Sequence, residues 1–457
     1  MFSHNQIFYV VVTLTSLIQP YSCKSTRDDP NEVVFVNVIF RHGDRSPIET
    51  YKNDPYSNAS YWPMGWGQLT NKGKMQHYEF GRWMRDRYSK LLPEQYHRSD
   101  IYVQSTDVDR TLMSVESHLA GLYPPVTSQI WNQNLSWQPI PIHTVPESMD
   151  YILSQKKPCE RYDYELKKAK SSSIMKAVNE KYKQLYQYVT LHSGKKIDGV
   201  LGILDVYDVL FIESLYGFGL PDWTAAVFPE PMKTVSSIAF MLPSLSQEMR
   251  RLKAGPLIGQ ITKHLEKKSR GKLTPDRKLW IYSAHDTTVA AVLMALNLYN
   301  SAPPPYTAAI IFELRKNSAN EHFVSLYYRN TTDQPPYELV LPGCLFYCPL
   351  DQFILLTKPV VPDDWQSECE SSYNISSLVM HNIYVVAMEE KLHGSSHLQE
   401  TQPGNPIKIS EDLLVCKSAL LVTRYFIEVR LLVVSVKSVK MYLAFIDFKS
   451  LSLIRSP

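Results

Sequence analysis

The main body of the chain has no basic excess. Of its 48 Lys and Arg, seven lie in the last 45 residues against two Asp and Glu, so the rest holds 41 basic against 43 acidic residues. That balance lacks the electrostatic footprint of a nucleic-acid binder, so any phosphate chemistry must rest on a local arginine cluster. An uninterrupted apolar run of 18 residues is also missing. Charged residues from Arg424 to Asp447 break every candidate in the Leu-, Val- and Ile-rich end of the chain, and no transmembrane segment is expected. Six cysteines are too few for a miniprotein built on disulfides. Ligand spacing of the kind zinc recruits is confined to His393 and His397 in HGSSH, where Gly and Ser spoil a helix, and no metal is expected. No repeat or low-complexity tract interrupts the pattern.

What is present suits a large folded protein. With 457 residues, 44% hydrophobic and 12% aromatic, the chain can hold two or three domains or one α/β body with an inserted cap. Residues 7–18 form a twelve-residue apolar run of signal-peptide length, so residues 1–23 are expected to direct secretory entry, although the preceding MFSHNQ lacks Lys and Arg. Glycosylation sequons at Asn58, Asn134, Asn330 and Asn374 fit an exported protein. Cys23 lies near the expected cleavage point and Cys416 in the tail. The other four cysteines allow three pairings. Cys344 and Cys348 can close a small loop, which would leave Cys159 and Cys369 as a long-range staple.

Three places share one pattern: an apolar strand, a polar cluster, then a helix. VVFVNVIF (33–40) reads as a strand covered on both faces and runs into RHGDRSP (41–47). IYVQS (101–105) runs into TDVDR, and LWIYS (279–283) into AHD and TTVAAVLMAL. In an open α/β sheet ligands bind beyond the carboxyl ends of parallel strands, so these clusters are expected to converge. Thr70 is placed as the N-cap of a helix that repeats Phe80, Met84 and Tyr88 every four residues. Between Cys159 and Lys278 the sequence turns Lys-rich and helical, which reads as an inserted cap above the site. The domain division follows: an α/β body at 32–150 plus 275–375, a mainly helical cap at 151–274, and a divergent tail at 376–457.

The polar residues after the three strands are Arg41, His42, Arg45, Arg110, His285 and Asp286. Guanidiniums present forked N–H donors that match the oxygens of a tetrahedral anion, and they stay charged throughout, so the set favours phosphate or sulfate. A neutral imidazole among them can attack a phosphate monoester and form phosphohistidine, and Asp286 can protonate the departing alkoxide. Singly, each residue has a plainer reading: His42 structural, Arg110 in a surface ion pair, Asp286 a helix cap. Asp107 and Asp109 read as turn residues rather than metal ligands. Three such clusters together outweigh those readings.

RHGDRSP resembles the RHGxRxP signature of the histidine acid phosphatases. The resemblance extends in order through WPMGWGQLTNKG (62–73), QSTDVDRTLMS (104–114), WQPIPIHTVP (137–146) and YSAHDTTV (282–289), covering roughly residues 33–375. It is nearest the prostatic and lysosomal type; a phosphoglycerate-mutase-like assignment fits less well, since that branch lacks the Arg and Pro after RHG. The resemblance implies His42 as nucleophile, Arg41, Arg45, Arg110 and His285 as phosphoryl ligands, and Asp286 as proton donor, with no metal or cofactor. It implies an α/β fold with a mixed, mostly parallel sheet flanked by helices and a smaller inserted, mainly helical cap domain, a homodimer, and a secreted or lysosomal location. It also implies the Cys159–Cys369 and Cys344–Cys348 bridges. The family's third bridge is missing at both ends, which fall at Ile212 and Ala309. No resemblance extends beyond about 375.

The expected substrates are small phosphate monoesters, with phosphoproteins and lysophospholipids open as leaving groups and no nucleic acid. Because an ordinary Asp has a pKa of about 3.9 and an acid catalyst must be protonated, activity is expected to be best in mildly acidic solution. Two alternatives remain open: a catalytically silent secreted protein that binds phosphate esters, and a phytase-like phosphatase of polyphosphorylated substrates, for which Lys156, Lys157, Lys167 and Lys168 leave room.

Overall fold

The first predicted strand is continuous in Val, Ile and Phe because it sits in the middle of a sheet. In the computed structural model, which describes residues 32–370, β1 (Glu32–Arg41) pairs in parallel with β3 (Leu279–Ala284), and β3 in parallel with β2 (Ile101–Ser105). Phe35 and Ile39 of β1 enter one core with Tyr282 and Phe312, while Val36, Val38 and Phe40 enter a second with Val103 and Ile281. The signal segment 1–23, the tail 376–457, Cys23, Cys416, Asn374, His393 and His397 lie outside the described residues.

Beyond β1 the sheet continues through β4 (Ala309–Lys316), β5 (His322–Arg329) and β6 (Tyr337–Leu339), giving the order β2-β3-β1-β4-β5-β6, with β7 (Cys348–Pro349) on β5. The sheet is mixed, but the expectation of a mostly parallel one needs correcting: among the described strands, parallel pairs are β1 with β3 and β2 with β3, and the other strand pairs are antiparallel. The reason is chain length. Only five residues join β4 to β5, enough for a hairpin and too few for the crossover that parallel pairing requires.

On the β1–β3 side, α1 (Asn71–Arg87) and α2 (Asp109–Leu122) cover one face. Thr70 caps α1, its hydroxyl accepting from Gly73 N at 3.1 Å, and Phe80, Met84 and Tyr88 are buried. Six helices follow between Glu160 and Lys253: α3 (Glu160–Lys170), α4 (Ser173–Lys181), α5 (Lys183–Ser193), α6 (Val200–Leu215), α7 (Met232–Met241) and α8 (Gln247–Lys253). They share a core of their own around Val189, Ile203, Leu210, Met232 and Met249. By contrast, Leu257, Ile258, Ile261 and Leu265 of α9 (Gly255–Ser269) join the sheet's core, as does α10 (Asp286–Ala295).

Cys159 is bonded to Cys369 and Cys344 to Cys348. The first bridge ties the start of α3 to α11 (Trp365–Glu370), 210 residues away in sequence. Ile212 and Ala309 are both fully buried as ordinary apolar residues. Of the sequons, Asn58 and Asn134 are exposed and Asn330 is half-buried.

Candidate active site

Because β1, β2 and β3 are parallel neighbours, their carboxyl ends lie side by side. Arg41 and His42 close β1, Thr106 and Arg110 follow β2, and His285 and Asp286 follow β3. All six residues expected to act together meet there. His42 is 2% exposed, its ring centroid 5.8 Å from that of His285. Arg41 Nη2 pairs with Asp286 Oδ2 at 2.8 Å.

The tautomer of His42 follows from its partner. Its Nδ1 lies 2.8 Å from the Gly43 carbonyl oxygen, which can only accept, so Nδ1 holds the proton and the Nε2 lone pair is free. Burial, followed by the charges of Arg41, Arg110 and Arg45, pushes the His42 pKa well below that of an ordinary imidazole. The ring is therefore neutral and nucleophilic at one defined nitrogen. His285 is held down to about 3 by burial and then Arg110, and its Nε2 shares a 3.0 Å hydrogen bond with Thr106 Oγ1.

The guanidiniums are short of anions. Burial and then the charge of Arg45 hold Arg110 down to about 10, with Asp286 opposing. Arg41 has Asp286 and the Pro304 carbonyl oxygen as acceptors, and Arg45 has Asp208, with an ion pair of 3.1 Å. Yet Nε of Arg41, of Arg45 and of Arg110 is buried without a protein acceptor. Three partly unsatisfied guanidiniums around a neutral imidazole form a site that a tetrahedral dianion completes.

Asp286 is the first residue of α10, whose N-cap is His285 without a side-chain cap hydrogen bond, so the plainer reading of Asp286 as the cap needs correcting; its Oδ1 accepts from Thr287 N at 2.7 Å. Burial pushes this carboxyl up, but Arg41, Arg45 and His285 outweigh it and hold it below the ordinary value.

Residues 32–329 match the histidine phosphatase superfamily (branch 2). The chain belongs to that superfamily. Lysosomal acid phosphatase of Homo sapiens is 43% identical over 343 residues, 74% of this chain and 80% of its own length. Prostatic acid phosphatase of Homo sapiens is 42% identical over 346 residues, 74% and 88% of the two chains. Among solved structures, Hafnia alvei phytase in complex with myo-inositol hexakis sulphate superposes with a TM-score of 0.57 at 20% identity, covering 75% of this chain and 99% of that one, a likeness of fold. The protein is thus a phosphatase of the histidine acid phosphatase family.

Several residues that shape this phosphatase site escaped the sequence reading. Asp44, inside RHGDRSP, is buried and accepts from Thr70 Oγ1 and Tyr216 OH, each at 2.6 Å, tying the first loop to the N-cap of α1 and the end of α6. Gly73 allows that approach: a Cβ there would lie 2.8 Å from Asp44 N. Residues 304–308 form a strap around β1's end. Tyr306 lies under the Arg41 guanidinium at 4.3 Å, Thr307 N donates to the His42 carbonyl at 3.1 Å, and Arg41 N donates to the Ala308 carbonyl at 2.9 Å. Thr307 adopts a φ of 59°, unusual for a β-branched residue, and Arg329 Nη1 donates to its hydroxyl at 2.9 Å. The triple proline 303–305 signals a stiff turn, but no local pattern says what the turn touches.

The buried imidazoles predict a pH response. His42, His77, His118 and His285 all have depressed pKa values, burial being the first cause for each, with His77 and His285 near 3. Below about 6.5 the unfolded chain binds protons that the folded one refuses, so each of these groups removes up to about 1.4 kcal/mol of stability per pH unit as acidity rises. Glu213, raised to about 9 by burial and Asp54, works in the opposite direction and offsets one of the four. The urea midpoint of the ligand-free protein should therefore fall between pH 7 and pH 5. A constant or rising midpoint would contradict the neutral buried imidazoles.

Proposed function

We propose that this phosphatase hydrolyses phosphate monoesters in acid through a covalent phosphohistidine on His42, with Asp286 as proton donor. The observation that supports this most directly is the free Nε2 of a neutral His42 beside three guanidiniums whose Nε atoms lack acceptors. Arg41, Arg45, Arg110 and His285 hold the phosphoryl oxygens and neutralise charge as it builds. His42 Nε2 attacks phosphorus, and the P–O bond to the leaving group breaks with a proton from Asp286. Water then attacks the phosphohistidine, Asp286 takes its proton, and His42 and phosphate are released. Electrons and protons balance over the two steps, and the enzyme ends as it began.

In the ligand-free site Asp286 is ionised against Arg41, so it must gain a proton to act. A bound phosphate dianion shares Arg41 and repels the carboxylate, both of which raise the Asp286 pKa, and an acidic medium completes the protonation. Within the segment 151–274, the helices between Glu160 and Lys253, which share their own core, act in this reading as a cap that shapes the entrance while α9 packs in the sheet's core, and the reading includes a homodimer in the secreted or lysosomal compartment. The two disulfides suit an oxidising compartment. Among the described residues no helix is long and apolar enough to cross a membrane.

Denaturing alkaline quench of the protein during turnover of 32P-labelled substrate is expected to trap label on His42, stable in base and labile in acid as a phosphoramidate is. Turnover of p-nitrophenyl phosphate without trapped label, under single-turnover conditions, would overturn the covalent route.

A further inference from the structure

A cleft of about 650 Å³ opens beside the phosphate site, within the size range of small-molecule pockets. One of its walls is Thr287, whose backbone N–H holds Asp286 Oδ1. Another is Lys156, whose charge reaches His285 and whose ammonium pairs with Glu147 at 2.6 Å. Asp286 does not itself line the cleft, but its bonded neighbour Thr287 does, which sets the cleft one residue from the carboxyl.

The lining is aromatic and cationic. Tyr151, Tyr162, Phe240 and Trp365 supply flat apolar walls. Lys253 sits 4.2 Å from the Tyr162 ring centroid and donates to the Gln155 carbonyl at 2.7 Å. Lys157 lies over Tyr151 and Trp365 at 5.5 and 5.2 Å and donates to Gln366 Oε1 at 2.7 Å. Among the described residues neither ammonium makes an ion pair with a carboxylate. Asp163, also on the wall, acts on Lys253 only at longer range, and burial holds the Lys253 pKa below that of an ordinary lysine. Two ammoniums held by rings and neutral oxygens, one of them substantially desolvated, are poised for an anion brought by a ligand.

We propose that this cleft is the leaving-group pocket and selects phosphate monoesters whose alcohol part has an apolar or aromatic body ending in a second anion. The body stacks on the aromatic walls, and the anion meets Lys157 and Lys253. This rests on the hydrolytic reading above and adds the substrate class to it.

The test uses two aryl phosphates that differ only at the end of a three-carbon arm, one with a sulfonate and the other with a neutral hydroxyl. The arm insulates the phenol, so both have the same leaving-group chemistry, and the sulfonate stays ionised in acid. The wild-type protein is expected to favour the sulfonate roughly tenfold in kcat/KM, mainly through KM, the order of one charge-assisted hydrogen bond. In Lys157→Gln/Lys253→Gln that ratio should fall to within about twofold of unity, while Lys253→Arg keeps it. Using the ratio removes any loss common to both substrates, and Lys157→Gln alone serves if the double variant fails to fold. A wild-type ratio near one, or a ratio that survives the double substitution, overturns the proposal. If neither these esters nor p-nitrophenyl phosphate turns over, the hydrolytic reading is what fails. The matching benzylphosphonate pair, scored by binding, then decides the cleft by the same preference or its absence.

Discussion

His42→Ala is expected to lower kcat for p-nitrophenyl phosphate by roughly four orders of magnitude or more, the scale seen when a nucleophile is removed from an otherwise intact site. The imidazole is neutral in the ligand-free protein, so its removal leaves the charge of the site unchanged. Arg41 and Arg45 keep their partners and Arg110 its place, and inhibition by inorganic phosphate should persist with a similar constant. The expected signature is thus a collapse of kcat with phosphate binding retained. Residual turnover within about tenfold of wild type would show that water attacks phosphorus directly and that His42 only lines the site.

Asp286→Asn should produce the second largest effect, and an uneven one. An alkyl phosphate leaves as a strongly basic alkoxide and needs the proton, so its kcat should fall by about 10²–10⁴. p-Nitrophenolate leaves without protonation, so the aryl ester should suffer much less in the first step. Asn also removes the ionised partner 2.8 Å from Arg41, which frees that guanidinium for phosphate, so KM should not rise. The limb of the pH profile that reports the proton donor should vanish for the alkyl ester. Equal losses of kcat/KM for alkyl and aryl esters, a ratio that reports the first step alone, would assign Asp286 to holding Arg41 rather than to protonating the leaving group.

The two variants also separate the roles of the neighbouring groups. His285 and Thr106 form a hydrogen-bonded pair untouched by either substitution. The strap at 304–308 contacts both Arg41 and the His42 backbone, so it supports the geometry that both experiments assume.

Much of this architecture was legible along the chain because strands and helices leave periodic marks. The burial of both faces of β1 shows as a continuous apolar run, and Thr70 shows as a cap before a helix with a four-residue repeat. The antiparallel half of the sheet was not read, since two apolar strands look alike whichever way they pair; only the short β4–β5 connection decides. Asp44 lay in plain view within RHGDRSP, but its partners Thr70 and Tyr216 are 26 and 172 residues away, and no spacing rule links them. Arg45's partner Asp208 sits in α6, where it reads as one more polar residue on a helix.

The sequence by itself determined which chemistry is available: three guanidiniums, two imidazoles and one carboxylate, each set just after an apolar strand. Residue type and strand-end position are local properties, written in order along the chain. Only the tertiary structure decided how those groups are tuned, because tautomer, ionisation and unsatisfied donors depend on which distant atoms come within hydrogen-bonding reach. The Gly43 carbonyl sets the reactive nitrogen of His42, Arg41 sets the charge on Asp286, and the Lys157–Lys253 cleft beside Thr287 arises where separate helices and loops meet.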